Sequence, residues 1–167
     1  VNVKDAYNEK VGNSTEINIA LINALNAANI NANLVLISTR DNGLPTKLYP
    51  VMTDFNYAIA KIDIKGKTYL LDATNKEMPF GVLPLRCLNS YGRMMDFKNG
   101  SKWIDINPIK NTRTQLSSNL GFNEDGNFTG FIKKVYDGYS AIDKRNEITT
   151  TTEEKYLNLI EDDNDKL

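Results

Sequence analysis

Three side chains open this sequence to a chemical reading, and one missing residue type limits it. Ser14 lies in Gly12-Asn13-Ser14-Thr15-Glu16-Ile17-Asn18, where a helical pattern begins. A hydroxyl there faces the positive end of the helix dipole, and free first-turn N–H groups can hold an oxyanion. Asp72, in Asp72-Ala73-Thr74, closes a hairpin whose first strand opens with Tyr57. The chain has no histidine, so no imidazole can take a proton from Ser14. The dipole is worth about 0.3–1 kcal/mol at an exposed terminus and ~2 at most, too little to ionise an alcohol. Tyr57, with a reference pKa near ~10, is a weak base at neutral pH. Ser14 as a helix cap or first-turn residue is the competing role.

The elements that must position these groups follow from periodicity. Ile17, Leu21, Ala24, Leu25 and Ala28 recur at helical spacing, predicting a helix over 14–28. Asn13 followed by Glu16 has the form of a capping box. Residues 32–39 read as a buried strand. Arg40-Asp41-Asn42-Gly43-Leu44-Pro45 is a loop. Tyr57 to Ile64 alternates, Lys65-Gly66 turns, and Lys67 to Asp72 returns, which is a β-hairpin. A two-residue loop pairs Ile64 with Lys67 and Ile59 with Asp72. Tyr57 and Asp72 then become diagonal neighbours on one face, roughly 7–8 Å apart at Cα, and Asn56 points the other way. A covering loop occupies 75–90. A second hairpin spans 92–97 and 102–106, and two more strands span 112–121 and 127–136. Short helices follow near 140–147 and 152–160, and Glu161-Asp162-Asp163-Asn164-Asp165 reads as a solvated, frayed end.

The chain has 167 residues and 41% hydrophobic content, enough for a core. Its 20 basic and 21 acidic residues nearly cancel, which argues against nucleic acid as a partner. No apolar run approaches the ~20 residues of a membrane span. The single cysteine, Cys87, forms no internal disulfide and reads as a small buried hydrophobe. Three Asn-x-Ser/Thr triplets, at Asn13, Asn99 and Asn127, are of the number expected by chance in an Asn-rich chain. The start at Val1-Asn2-Val3-Lys4, without an initiator Met, reads as a segment of a longer protein. With no His and one Cys, a metal site has only hard oxygen donors; Asp162, Asp163 and Asp165 lack the EF-hand spacing. No Gly-rich phosphate loop follows a strand. No cofactor is expected.

The order Gly12-Asn13-Ser14, helix, buried strand, hairpin, Asp72-Ala73-Thr74 resembles the transglutaminase-like superfamily. Matching strings are Ile37-Ser38-Thr39-Arg40-Asp41-Asn42-Gly43, Tyr49-Pro50, Phe55-Asn56-Tyr57, Tyr69-Leu70-Leu71-Asp72-Ala73-Thr74 and Leu83-Pro84-Leu85-Arg86-Cys87-Leu88-Asn89. They are similar to the transglutaminase-like region of large secreted bacterial proteins, and the resemblance covers about residues 5–108. It implies an α+β fold, a helix packed on an antiparallel sheet over 1–108, with a small β-hairpin and helix extension over 109–167. In that family a Cys opens the helix, a His starts a strand and an Asp follows on the neighbouring strand. Position by position these fall on Ser14, Tyr57 and Asp72, so only the Asp is of the expected type.

The expectation is a pseudoenzyme module of a larger exported protein, periplasmic, outer-membrane-associated or extracellular. It would bind a peptide or glycan, or serve as a structural domain beside the parent's other domains. Ser14, Tyr57 and Asp72 would line the cleft, with Arg40 at its rim to meet a carboxylate; a surface salt bridge is the common alternative for Arg40. Tyr57 would bond Asp72 or Ser14, and Asp72 is equally readable as a turn residue. The alternative function is a weak Ser14-dependent hydrolase of peptidase or amidase type.

Overall fold

A computed structural model describes residues 2–164 and shows an α+β protein. By contact it divides into two units, one ending at Ile109 and one starting at Lys110.

The first unit begins with helix α1 (Val3–Glu9) and helix α2 (Ser14–Ala27). Hydrophobic periodicity predicts no element before residue 12. None of the residues of α1 is buried, so it carries no apolar stripe to detect. It is held instead by polar ends: the Asn2 side chain accepts from Asp5 N–H, and Asn2 N–H donates to Glu16 Oε1 at 3.0 Å. Asn13 caps α2, accepting from Glu16 N–H at 3.0 Å while Glu16 Oε2 accepts from Asn13 N–H at 2.9 Å. This reciprocal box satisfies two otherwise orphaned donors.

Five antiparallel strands follow: β1 (Ala32–Ile37), β2 (Tyr57–Ile64), β3 (Lys67–Leu71), β4 (Ser90–Asp96) and β5 (Gly100–Ile106), in the order β3-β2-β1-β4-β5. The β2–β3 register pairs Ile64 with Lys67 and Ala60 with Leu71, as the two-residue turn requires. β1 stops at Ile37, two residues earlier than expected. Ser38 and Thr39 leave the ladder for the loop: Ser38 Oγ donates to Gly43 O, and Thr39 N–H donates to Asn56 Oδ1. The last hairpin of the sheet is longer than expected because β4 starts at Ser90 and β5 at Gly100.

Alternation along β1 and β2 sorts the core into two layers. Val35, Ile37, Tyr57, Ile59, Met94 and Ile106 share one layer with Leu83 and Cys87 of the 72–89 loop. Ala32, Ala60, Ile62 and Leu71 share the other with Ile22 of α2. The deeply buried face of α2 is centred on Asn18 and Ile22. The predicted stripe is therefore rotated: Leu21 and Leu25 pack on the sheet, whereas Ile17 and Ala20 line a groove of about 290 Å³ against α1. Both long connections, 38–56 and 72–89, leave the sheet at the end marked by Ile37, Tyr57 and Leu71.

The second unit is a hairpin of β6 (Thr112–Phe122) and β7 (Phe128–Gly138), then α3 (Tyr139–Thr150) and α4 (Glu153–Asn164). Tyr139 and Ile142 are the buried residues of α3, which packs against β7. Lys144 Nζ sits 5.6 Å from the Tyr136 ring centroid and 5.1 Å from that of Tyr156, and donates to Glu147 Oε2 at 2.7 Å. Helix α4 continues through Glu161 to Asn164, where a frayed end was expected. Asp165 lies outside the described residues.

Candidate functional site

The side chain of Tyr57 starts β2 and points into the layer covered by the 72–89 loop. Its hydroxyl donates to Asp72 Oδ2 at 2.7 Å and lies 3.1 Å from Thr74 Oγ1. The other Asp72 oxygen, Oδ1, accepts from Thr74 N–H at 2.7 Å. Asp72 thus serves the turn and the tyrosine at once. Diagonal placement across a two-residue hairpin brings the pair together, one strand step beyond the last ladder pair, Ala60–Leu71.

Arg86 completes the group. Its Nη2 donates to the Tyr57 hydroxyl at 3.0 Å and to Thr74 Oγ1 at 3.3 Å, and its guanidinium lies 5.2 Å from the Tyr57 ring centroid. The residue belongs to a short 3₁₀ turn, Leu85–Cys87, set by Pro84. Burial pushes the Tyr57 phenol above its ordinary range, against the opposing pull of Arg86 and Thr74 and with a smaller push from Asp72. The hydrogen bond to Tyr57 holds the Arg86 guanidinium firmly charged. Next to it, Cys87 is fully buried, and desolvation pushes its thiol up to about 12. A thiol at that value carries almost no thiolate near neutrality and is a poor nucleophile.

Asn18 fastens the helix to this end of the sheet. Its Nδ2 donates to Ala58 O at 2.9 Å, and its Oδ1 accepts from Ala73 N–H at 2.8 Å. Asn89 fastens the other loop, donating to Ser38 O at 3.0 Å and Gly43 O at 2.8 Å. Beyond Asp72, a cavity of about 170 Å³ is bounded by Leu21, Leu71, Ala73, Met78, Phe80 and Val82.

Of the four residues singled out in the sequence, the structure joins two, Tyr57 and Asp72. Ser14 is the first residue of α2 and half-buried; among the described residues its hydroxyl has no hydrogen-bonded base. Arg40 is exposed in a 3₁₀ turn, Arg40–Asn42, and forms no ion pair among the described residues. The arginine at the tyrosine is Arg86.

No known protein family, curated protein or solved structure matches the chain.

Arg86 and Asn18 went unnoticed in the sequence for different reasons. Arg86 follows Pro84 in an irregular loop, where no periodicity reports direction. Asn18 did leave a signal: an amide one turn from Ile22 on a packed face must bond something. Among the described residues, no three His, Cys, Asp or Glu side chains gather where a metal could be held. No described helix is long and apolar enough to cross a membrane.

Proposed function

We propose that the first unit is a transglutaminase-like shell without acyl-transfer chemistry, retained as a binding module for a peptide or glycan within a larger exported bacterial protein. One observation carries the reading. The Tyr57 hydroxyl, at the position the resemblance gives to the catalytic base, is committed to Asp72, Thr74 and Arg86. A protonated phenol fixed in that way holds architecture and accepts no proton from a nucleophile.

The binding surface is the end of the sheet where the two long loops meet. Polar contacts come from Asp72 and Arg86, held in place by the buried Tyr57, and the cavity beside Asp72 has room for a small apolar group. Ser14 stays a first-turn residue of α2, and the compartment follows the resemblance, outside the cytoplasm.

Two measurements test this. A fluorophosphonate probe is expected to leave Ser14 unlabelled; covalent labelling at Ser14 would replace the reading with a serine hydrolase. Immobilised peptides and glycans are then screened with the wild-type protein and with Arg86→Ala. A ligand retained by the wild type and weakened in the variant supports the reading. Retention of none, or of one indifferent to Arg86, removes the binding role at this end.

A further inference from the structure

Arg86 is an exposed cation held in one place. Its Nη2 donates to the Tyr57 hydroxyl and to Thr74 Oγ1, and its guanidinium lies over the Tyr57 ring. Among the described residues, no oxygen accepts from its Nε or Nη1, and it forms no ion pair. The thiol of Cys87 beside it stays protonated near neutrality and is a weak acceptor. The guanidinium therefore keeps N–H groups for an acceptor from outside the chain. Folding has already ordered this long side chain, so an anion that binds it loses less entropy than at a loose surface arginine such as Arg40.

Asp72 stands one hydroxyl away from Arg86, through Tyr57. Each of its oxygens accepts one bond, from the Tyr57 hydroxyl and from Thr74 N–H, and a carboxylate has about four acceptor sites. It can therefore take a further donor. A carboxylate so near the guanidinium opposes a dianion such as phosphate, whose attraction to Arg86 is offset by repulsion from Asp72. The pair suits a ligand that carries a single negative charge and an N–H donor close together. Asp72 also borders the cavity of about 170 Å³, whose walls include Leu21, Leu71, Met78, Phe80 and Val82. Sugar hydroxyls would meet no partner on those side chains, whereas an aliphatic group gains by burial there.

We propose that this group takes the C-terminal residue of a peptide, with its carboxylate on Arg86, its amide N–H on Asp72 and a small aliphatic side chain in the cavity. The inference rests on the binding role given above to this end of the sheet, and narrows it from a peptide or glycan to a peptide with a free carboxyl end. In such a residue all three groups branch from one carbon. Arg86, Asp72 and the cavity are likewise contiguous, Asp72 being shared between the other two. An acidic side chain within a peptide has the carboxylate but lacks the aliphatic branch beside it.

The test uses the whole protein, immobilised, and pools of pentapeptides randomised at the first four positions and ending in Val, Leu, Asp or Lys. Each pool is made as the free acid and as the C-terminal amide, and retained peptide is measured by mass spectrometry. Acids ending in Val or Leu are expected to be retained, and their amides to bind about tenfold or more weakly, as loss of a hydrogen bond to a charged group implies. Arg86→Ala is expected to abolish the difference between acid and amide. The comparison of acid with amide on the wild-type protein stands even if that variant does not fold. Acid and amide retained equally, yet both lost in Arg86→Ala, would overturn the carboxylate while the binding role survives. Equal retention of all four endings, or retention of free valine with no peptide, would overturn it as well. If no peptide is retained in either form the inference falls, and glycan retention with and without Arg86→Ala then decides the binding role separately.

Discussion

Asn18 Nδ2 donates to the carbonyl of Ala58 at 2.9 Å, forty positions along the chain. With Ala73 N–H bound to its Oδ1, this fully buried amide is the joint between α2 and the sheet end. Truncation by Asn18→Ala strands two backbone groups, each costing about 1–3 kcal/mol when left unpaired. Urea denaturation is expected to show a loss of about 2–6 kcal/mol for the two together. Asn18→Asp keeps the acceptor for Ala73 but sets a carboxylate against the Ala58 carbonyl. Burial would raise that carboxyl's pKa above its unfolded value near ~3.9. Stability of the variant should therefore be fullest in acid and fall as pH rises through the folded pKa.

Tyr57 offers the corresponding alkaline signature. Its phenol is held above the usual tyrosine range by burial, so the folded protein keeps a proton that the unfolded chain releases from about pH 10. Its contribution is complete below that pH and is lost as pH climbs through the folded pKa. Tyr57→Phe is expected to remove this part of the alkaline fall, read as a shallower slope of unfolding free energy above pH 10. An unchanged slope would show that burial does not raise the phenol.

Cys87 behaves in the same direction, again through burial. Its thiol, ordinarily near 9, lies at about 12 because burial disfavours the thiolate. In the native protein it should resist iodoacetamide at pH 8 and react only at the rate of unfolding. Cys87→Ala should flatten the stability profile between pH 9 and 12. Rapid native-state alkylation would contradict the burial.

Gly92 leaves no room for a side chain in the five-stranded sheet. A Cβ there would lie 2.7 Å from Ile37 Cγ2, 2.9 Å from Val35 Cγ1 and 3.0 Å from Ile106 Cδ1. All three belong to branched core side chains, so Gly92→Ala is expected to cost about 1–3 kcal/mol through overpacking. Thermal or chemical denaturation reads this directly, and a neutral result would mean that β1 and β5 can separate locally.

The register of the β2–β3 hairpin was legible in the sequence, because alternation and a Lys-Gly turn permit one register, although β3 ends at Leu71, one residue short of the expected Asp72. Helix α2 was legible at its start, where Asn13 and Glu16 cap it, and less so in orientation. Its apolar residues are divided between the sheet and α1, so the stripe alone misplaced the buried face. The meeting of Tyr57 with Asp72 followed from hairpin geometry. Arg86 did not, because its direction depends on the path of the 72–89 loop, and that path is set by tertiary packing of Leu83 and Cys87. Strand order was hidden as well: β1 pairs with β4 through only three residues, Leu34 to Leu36, after a long detour.

Residues 38–56 and 72–89 leave the sheet at a common rim and are clamped there by Asn89 and Asn18. Loop closure grows slowly with length, about 0.6 kcal/mol per doubling. Insertions between these clamps would therefore reshape the rim while the strands beneath keep their pairing. The outline of the rim can in that sense vary while the sheet beneath it stays fixed.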